Sequence, residues 1–325
     1  MTRGGAGAFP YGVAAALLAL VVYANALHNP FVYDDHDTVV SNASIVDLSN
    51  FRFVLAYSPF RPVVNISYAL DRAMWGPEPF GFHLTNVLLH AVTVTLLFLL
   101  ALGLIGEATA SSSAPLAAFA AAGVFAVHPL FSEAVGYVSG RSEVMCAVWF
   151  LAAFLAARSA MHRPRLWPVL AALAFGALAA LSKENAVALP VVLLAYDWLF
   201  KPGSDAARRR RLWLVFLPIF AAGIAVALYR VSSLSAVSMG ASPQAPLFNA
   251  LTQSIVIWRY FGLLVWPAGQ SIMHAVHRVT SVADPLAWLA VAGLVAVAAG
   301  AFLLRRREPL VTLAAIWFFS AIAPS

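Results

Sequence analysis

The feature that most limits what this chain can fold into is a succession of apolar runs, most of them near the length that crosses a bilayer as a helix. Nine occupy residues 9–27, 84–105, 114–127, 144–157, 167–181, 186–200, 212–229, 285–304 and 309–323. A hydrocarbon layer about 30 Å thick takes about 20 helical residues, and it offers no water to satisfy an open backbone. A tenth run, 251–266, carries Arg259 in its middle. A charge at mid-membrane is costly, so this run reads as interfacial or re-entrant. Composition agrees: 62% of the 325 residues are hydrophobic and 10% charged, against about 45–50% and about 25% in soluble domains. These values exclude a soluble globular enzyme, a disordered chain and a nucleic-acid binder. The single cysteine, Cys146, excludes an internal disulfide framework and a cysteine-cluster metal site. The expected fold is all-α: one polytopic membrane unit over 1–325 with about nine transmembrane helices.

Run 9–27 follows Arg3 as in a signal peptide, but it exceeds a usual apolar core. His28-Asn29-Pro30-Phe31 follows in place of a small-residue cleavage site, so the run reads as an uncleaved helix.

The few charges orient the chain. With the N-terminus in the cytoplasm and each of the nine runs crossing once, 12 of the 20 Lys and Arg fall inside: Arg3, Arg158, Arg163, Arg165, Lys201, Arg208 to Arg211 and Arg305 to Arg307. This is the positive-inside pattern, and it holds only if 251–266 does not cross. The net charge of +6 is therefore topology signal rather than a sign of an acidic partner. Ten of the 14 acidic residues fall on the far side, so polar chemistry is expected at the extracytoplasmic face.

The longest polar segment, 28–83, is the first outer loop. Asp34, Asp35 and Asp37 crowd its start. Neighbouring carboxylates at a low-dielectric edge raise one another's pKa, which suits a proton acceptor; a helix cap or solvated turn is an equal reading. Residues 49–57 and 62–75 read as surface-lying amphipathic helices, the second with Val64, Tyr68 and Trp75 on one side and Asn65 and Arg72 elsewhere. His83, Asn86 and His90 share one face of the next helix and read as interhelical hydrogen-bonding groups. Glu133, Arg141 and Glu143 come between the next two runs, and Lys183-Glu184 between later ones. Arg141 suits either a structural ion pair or an oxyanion; Lys183 suits a phosphate or a neighbouring carboxylate. Asp34, Asp35 and Glu133 offer oxygen ligands to a divalent cation. His274 and His277 make a weak metal pair. No Walker motif, G-x-S-x-G elbow or HExxH occurs.

Several of these stretches resemble the transmembrane-and-tetratricopeptide O-mannosyltransferases and their bacterial relatives, members of the GT-C class of glycosyltransferases. They are Phe31-Val32-Tyr33-Asp34-Asp35, Arg61-Pro62, residues 81–91, His128-Pro129 through Val135, Gly140-Arg141-Ser142-Glu143, Lys183-Glu184, and 305–310 with 316–319. The resemblance implies a GT-C-like bundle that transfers sugar from a polyprenyl-phosphate donor at the outer face. It implies Asp34 as general base, with Asp35 as partner or alternate. Arg141 and Lys183 would hold the donor phosphate, and Glu133, Glu143, His83 and Arg61 would support the site. Family members continue into tetratricopeptide repeats, whereas no period of about 34 residues appears here. The chain thus reads as a portion of a longer protein or a member without repeats. The acceptor stays open between a protein hydroxyl, a lipid and a glycan. A transporter or flippase of a lipid-linked precursor, or a non-catalytic scaffold, is the competing reading. The alanine-rich, cysteine-poor composition points to a bacterial inner membrane.

Overall fold

The computed structural model describes residues 4–163, 165–201, 204–234, 245–271 and 275–323. Arg3 and His274 lie outside the described residues. Among those described there is no strand. The helices are α1 (Gly4–Val22), α2 (Phe51–Tyr57), α3 (Pro62–Trp75), α4 (Pro79–Thr109), α5 (Ala114–Val127), α6 (Ser132–Gly136), α7 (Arg141–His162), α8 (Leu166–Ala180), α9 (Ala188–Phe200), α10 (Asp205–Arg211), α11 (Leu217–Leu234), α12 (Ala245–Val265), α13 (Pro285–Leu303) and α14 (Pro309–Ile322).

Among the described residues, four stretches are long and apolar enough to cross a membrane: Gly7–His28, Pro79–Thr109, Val138–His162 and Pro285–Arg306. A fifth arises if Ala114–Val127 and Pro129–Gly136, bent by 49° where they meet, form one span. This is fewer than the nine expected from the apolar runs. For three of the missing runs length is the reason: α8, α9 and α14 have 15, 13 and 14 residues, or about 20–23 Å at 1.5 Å per residue. A run of apolar residues counts its loop ends as well as its helix. The run 251–266 belongs to the 21-residue α12, which packs on α13. There the Trp258 indole donates to Ala290 O (3.0 Å) and lies where a Cβ on Gly293 would come within 2.6 Å of it.

Small residues bring the first helices together. Ala118, Ala122 and Ala126 of α5 recur every fourth residue and meet Ala8, Ala15 and Ala19 of α1 together with Ala91, Val94 and Phe98 of α4. In lipid, where burial of apolar surface drives little association, such close backbone approach is what packing relies on. The centre belongs to α7, whose Ala153, Phe154 and Ala157 pack against α8 and α9. Trp317 of α14 stacks on Phe150 and Phe154, with centroids 5.1 and 5.5 Å away.

The first loop folds back on the bundle. In α2 only Val54 is buried, while Phe51, Phe53, Leu55 and Tyr57 are exposed. In α3 the buried side is Val64, Asn65, Tyr68, Ala69 and Asp71, and Trp75 is exposed. This corrects the expected face. Asn65 turns inward because its amide is fully used, donating to Val54 O (2.7 Å) and Ser44 Oγ (2.9 Å) and accepting from Asn42 Nδ2 (2.9 Å). A buried amide is stable only when so satisfied.

The charges separate along the bundle. α7 runs from Arg141 at one end to His162 at the other, about 32 Å at helical rise. Around its start lie the Asp34 turn, the α6 segment and Lys183. Around its end lie Glu107, Lys201 and the basic stretches.

Candidate active site

The acidic turn divides its two carboxylates. Tyr33 has φ +48°, a left-handed conformation that costs a non-glycine residue about 1 kcal/mol or more. Beyond it Asp35 is fully buried and accepts hydrogen bonds from Ser139 N (2.8 Å), Ser139 Oγ (2.7 Å) and Val32 N (3.1 Å). Asp34 is exposed, and its carboxylate has no hydrogen-bond partner among the described residues. Its backbone N–H donates to the Tyr137 hydroxyl at 2.9 Å. Asp35 therefore ties the turn to the segment before α7, and Asp34 is left with its carboxylate outward. Burial pushes the Tyr137 phenol above its ordinary pKa, so it stays protonated beside the two aspartates.

Arg141 does not face open space. Its guanidinium is 0% exposed and pairs with Asp71 Oδ2 at 2.6 Å. It also donates to Asn86 Oδ1 (2.7 Å), Ser67 Oγ (3.1 Å) and Phe82 O (2.7 Å), and lies 4.6 Å from the Tyr68 ring centroid. Of the two readings of Arg141, the ion pair is the one its surroundings carry. The sequence reading missed Asp71, although its place in α3 beside Tyr68 put it on the buried side. Thr85 Oγ1 donates to its other oxygen at 2.7 Å.

Of the polar face on α4, Asn86 donates to Tyr137 O at 3.0 Å, and the His90 ring meets Ala126 O at 3.3 Å. Both join helices or loops, as interhelical groups would. His83 is fully buried, with neither ring nitrogen partnered among the described residues.

A cavity of about 650 Å³ opens between these elements. Its polar lining includes Arg61, Glu133, Tyr137, Ser139, Ser142, Glu143 and Lys183, and its apolar lining includes Phe125, Phe131 and Val144, with Tyr260 also on the wall. Lys183 Nζ pairs with Glu143, and Arg61 Nη2 stands 3.4 Å from Glu184 Oε1. Burial pulls the Lys183 pKa below the usual lysine range, with Glu184 opposing and Arg61 reinforcing the shift. Gly140 closes the wall. A Cβ there would lie 2.7 Å from Glu133 O and 2.9 Å from Ala134 Cα, so only glycine lets α6 approach.

A second, apolar groove of about 480 Å³ runs between α8, α9 and α11, past Leu173, Gly176, Leu189, Pro190, Ile219 and Phe220. Lys183 and Glu184 are among its lining residues. Lys183 is thus common to a polar cavity and an apolar groove.

The structure gathers Arg61, Glu133, Glu143 and Lys183 round one cavity, with Asp34 beside it through Tyr137. It keeps Asp35, His83 and Arg141 in the packed interior. Tyr137 and Ser139, which no motif singled out, join the wall, as does Tyr260, which the sequence places in an interfacial aromatic belt. No group of three or more His, Cys, Asp or Glu among the described residues is placed to hold a metal. Asp34, Asp35 and Glu133 do not form the suggested cation site, because the Asp35 oxygens are turned to Ser139 and Val32.

No family model matches the chain, and no solved structure matches it. Similar proteins are named among characterised sequences. The chain is 32% identical over 202 residues to the protein O-mannosyl-transferase Tmtc1 of Drosophila melanogaster, covering 58% of this chain and 23% of that protein. It is 31% identical over 224 residues to TMTC1 of Mus musculus, covering 60% and 23%. With TMTC4 of Homo sapiens it shares 29% over 210 residues, covering 56% and 28%. The matched region spans about a quarter of these relatives' length. They are animal proteins, and the expectation of a bacterial inner membrane finds no support in them. Over nearly three fifths of its length, this multi-pass membrane chain is similar to protein O-mannosyl-transferases, the family its motifs resemble.

Proposed function

We propose that the chain acts as a GT-C-like integral membrane glycosyltransferase that moves a sugar, mannose by its relatives' names, from a polyprenyl-phosphate carrier to a protein hydroxyl. One observation carries this reading: Lys183 and Glu184 line an apolar groove, and Lys183 also lines the polar cavity. An amphiphilic donor has this shape, with its tail in the groove, its phosphate at Lys183 and Arg61, and its sugar in the cavity. Phosphate contact would repay Lys183 for its burial, because an anion favours the charged form.

In this reading Asp34 takes the proton from the acceptor hydroxyl. The oxygen attacks the anomeric carbon, the bond from that carbon to the phosphate oxygen breaks, and the lipid phosphate leaves with the electron pair. Glu133 and Glu143 position sugar or acceptor hydroxyls, and Asp35 holds the turn. Arg141 acts through the buried frame and not on the phosphate. The polar end faces the extracytoplasmic side, and the shorter apolar helices complete about nine crossings with α2 and α3 at the surface. The deciding experiment follows sugar transfer from a polyprenyl-phosphate donor by the reconstituted protein. Asp34→Asn is expected to abolish transfer at unchanged melting temperature. Full activity in that variant would refute the base. Carriage of the donor across vesicles without transfer would favour a flippase.

A further inference from the structure

At the end of the bundle opposite the cavity, Glu107 of α4 organises a second charged cluster. Its Oε1 accepts from Arg158 Nη2 (2.6 Å) and Lys201 Nζ (3.2 Å) and lies 2.7 Å from His162 Nε2. Tyr196 donates to Oε2 at 2.9 Å. One carboxylate thus faces two permanent cations, leaving positive charge over. Arg158 Nε is buried with no partner among the described residues. The guanidinium lies flat on Gly103, where a Cβ would come within 2.7 Å of it.

Contacts join this cluster to the other basic stretches. Arg211 donates to Lys201 O (2.9 Å) and pairs with Asp197 (2.5 Å). Trp198 stacks on Phe302, 5.9 Å between centroids, and Arg305 lies 4.1 Å above that ring. Two basic stretches run straight into exposed aromatics. Arg163 and Arg165 precede Trp167, which is 74% exposed, and Arg209 to Arg211 precede Trp213, 65% exposed. Tryptophan at the headgroup level beside basic residues is the composition of a membrane interface, and anionic headgroups favour such basic surfaces.

We propose that this basic end binds the phosphate of an anionic membrane lipid, with Arg158 and Lys201, held by Glu107, as its donors. The exposed Trp167 and Trp213 commit the source to a lipid rather than a soluble phosphate, because neither ring serves an ion in water. Glu107 orients the cations when no lipid is present and shares them when one is.

The test uses the full chain in nanodiscs of phosphatidylcholine alone, of phosphatidylcholine with phosphatidylglycerol, and of phosphatidylcholine with inorganic phosphate in the buffer. Melting temperature is expected to rise with the anionic lipid only. The double variant R158Q/K201Q should lose most of that rise, whereas R72Q, at the other end, should keep it. Equal melting in the first two bilayers would overturn the proposal, as would a full rise in the double variant. A rise produced by inorganic phosphate would overturn the lipid assignment. If the double variant does not fold, Gly103→Ala moves the guanidinium without removing charge, and an undiminished rise there would also refute it.

Discussion

Arg141 Nη2 stands 2.6 Å from Asp71 Oδ2, with both side chains all but sealed from solvent. This pair joins the first loop to the start of α7, and the wall of the cavity is hung from it. Removing one partner of a buried pair strands the other charge, a loss of about 3–5 kcal/mol. Arg141→Ala and Asp71→Ala should each lower the melting temperature sharply. Arg141→Lys should not restore it, because an ammonium cannot reproduce the fork that meets Asn86, Ser67 and Phe82 together. A variant that melts normally but binds donor poorly would return Arg141 to the phosphate.

Asp35 and Asp34 should part in their effects. Asp35→Ala leaves the part-buried Ser139 and Val32 donors without their acceptor, a loss of about 1 kcal/mol or more. Asp34→Ala touches no side-chain hydrogen bond among the described residues and should leave stability unchanged. Thermal unfolding of the two variants side by side checks this, independently of any transfer assay.

Gly140→Ala should be disruptive despite its small size. The added methyl meets backbone at 2.7–2.9 Å, and backbone cannot swing aside as a side chain can. Overpacking of this kind costs about 1–3 kcal/mol. By contrast Gly106→Ala, with nothing near its Cβ, should be neutral or slightly stabilising in a helix. Melting temperatures of both variants decide the matter.

Donor binding should weaken with rising pH, earlier than for an ordinary lysine. Burial holds the Lys183 pKa down, so its charge is lost as pH climbs through a value below the usual range, and a phosphate loses its partner there. Lys183→Arg, which stays charged, should move the decline to higher pH. Donor affinity measured across pH in both proteins tests the sign; an identical profile would remove Lys183 from the phosphate.

The class of structure was legible along the chain because its cause is local. A backbone in hydrocarbon must bond within its own segment, so an apolar run of sufficient length declares a helix wherever it lies. The basic clusters were legible for the same reason, and the structure gathers them at one end. Which charges are spent and which are available was not legible. Arg141 and Lys183 look alike in sequence, each a cation beside acidic residues after an apolar run. Asp71, 70 positions away, closes one of them into the interior, whereas Lys183 lies where two cavities meet. The same holds for Asp34 and Asp35, which are adjacent in sequence and face opposite ways because Ser139, over a hundred residues on, takes one of them. What the sequence by itself determined is that this is a helical membrane protein with separated charge. Only the tertiary structure decided which polar groups satisfy one another, because burial and pairing depend on distant segments whose meeting no local pattern records.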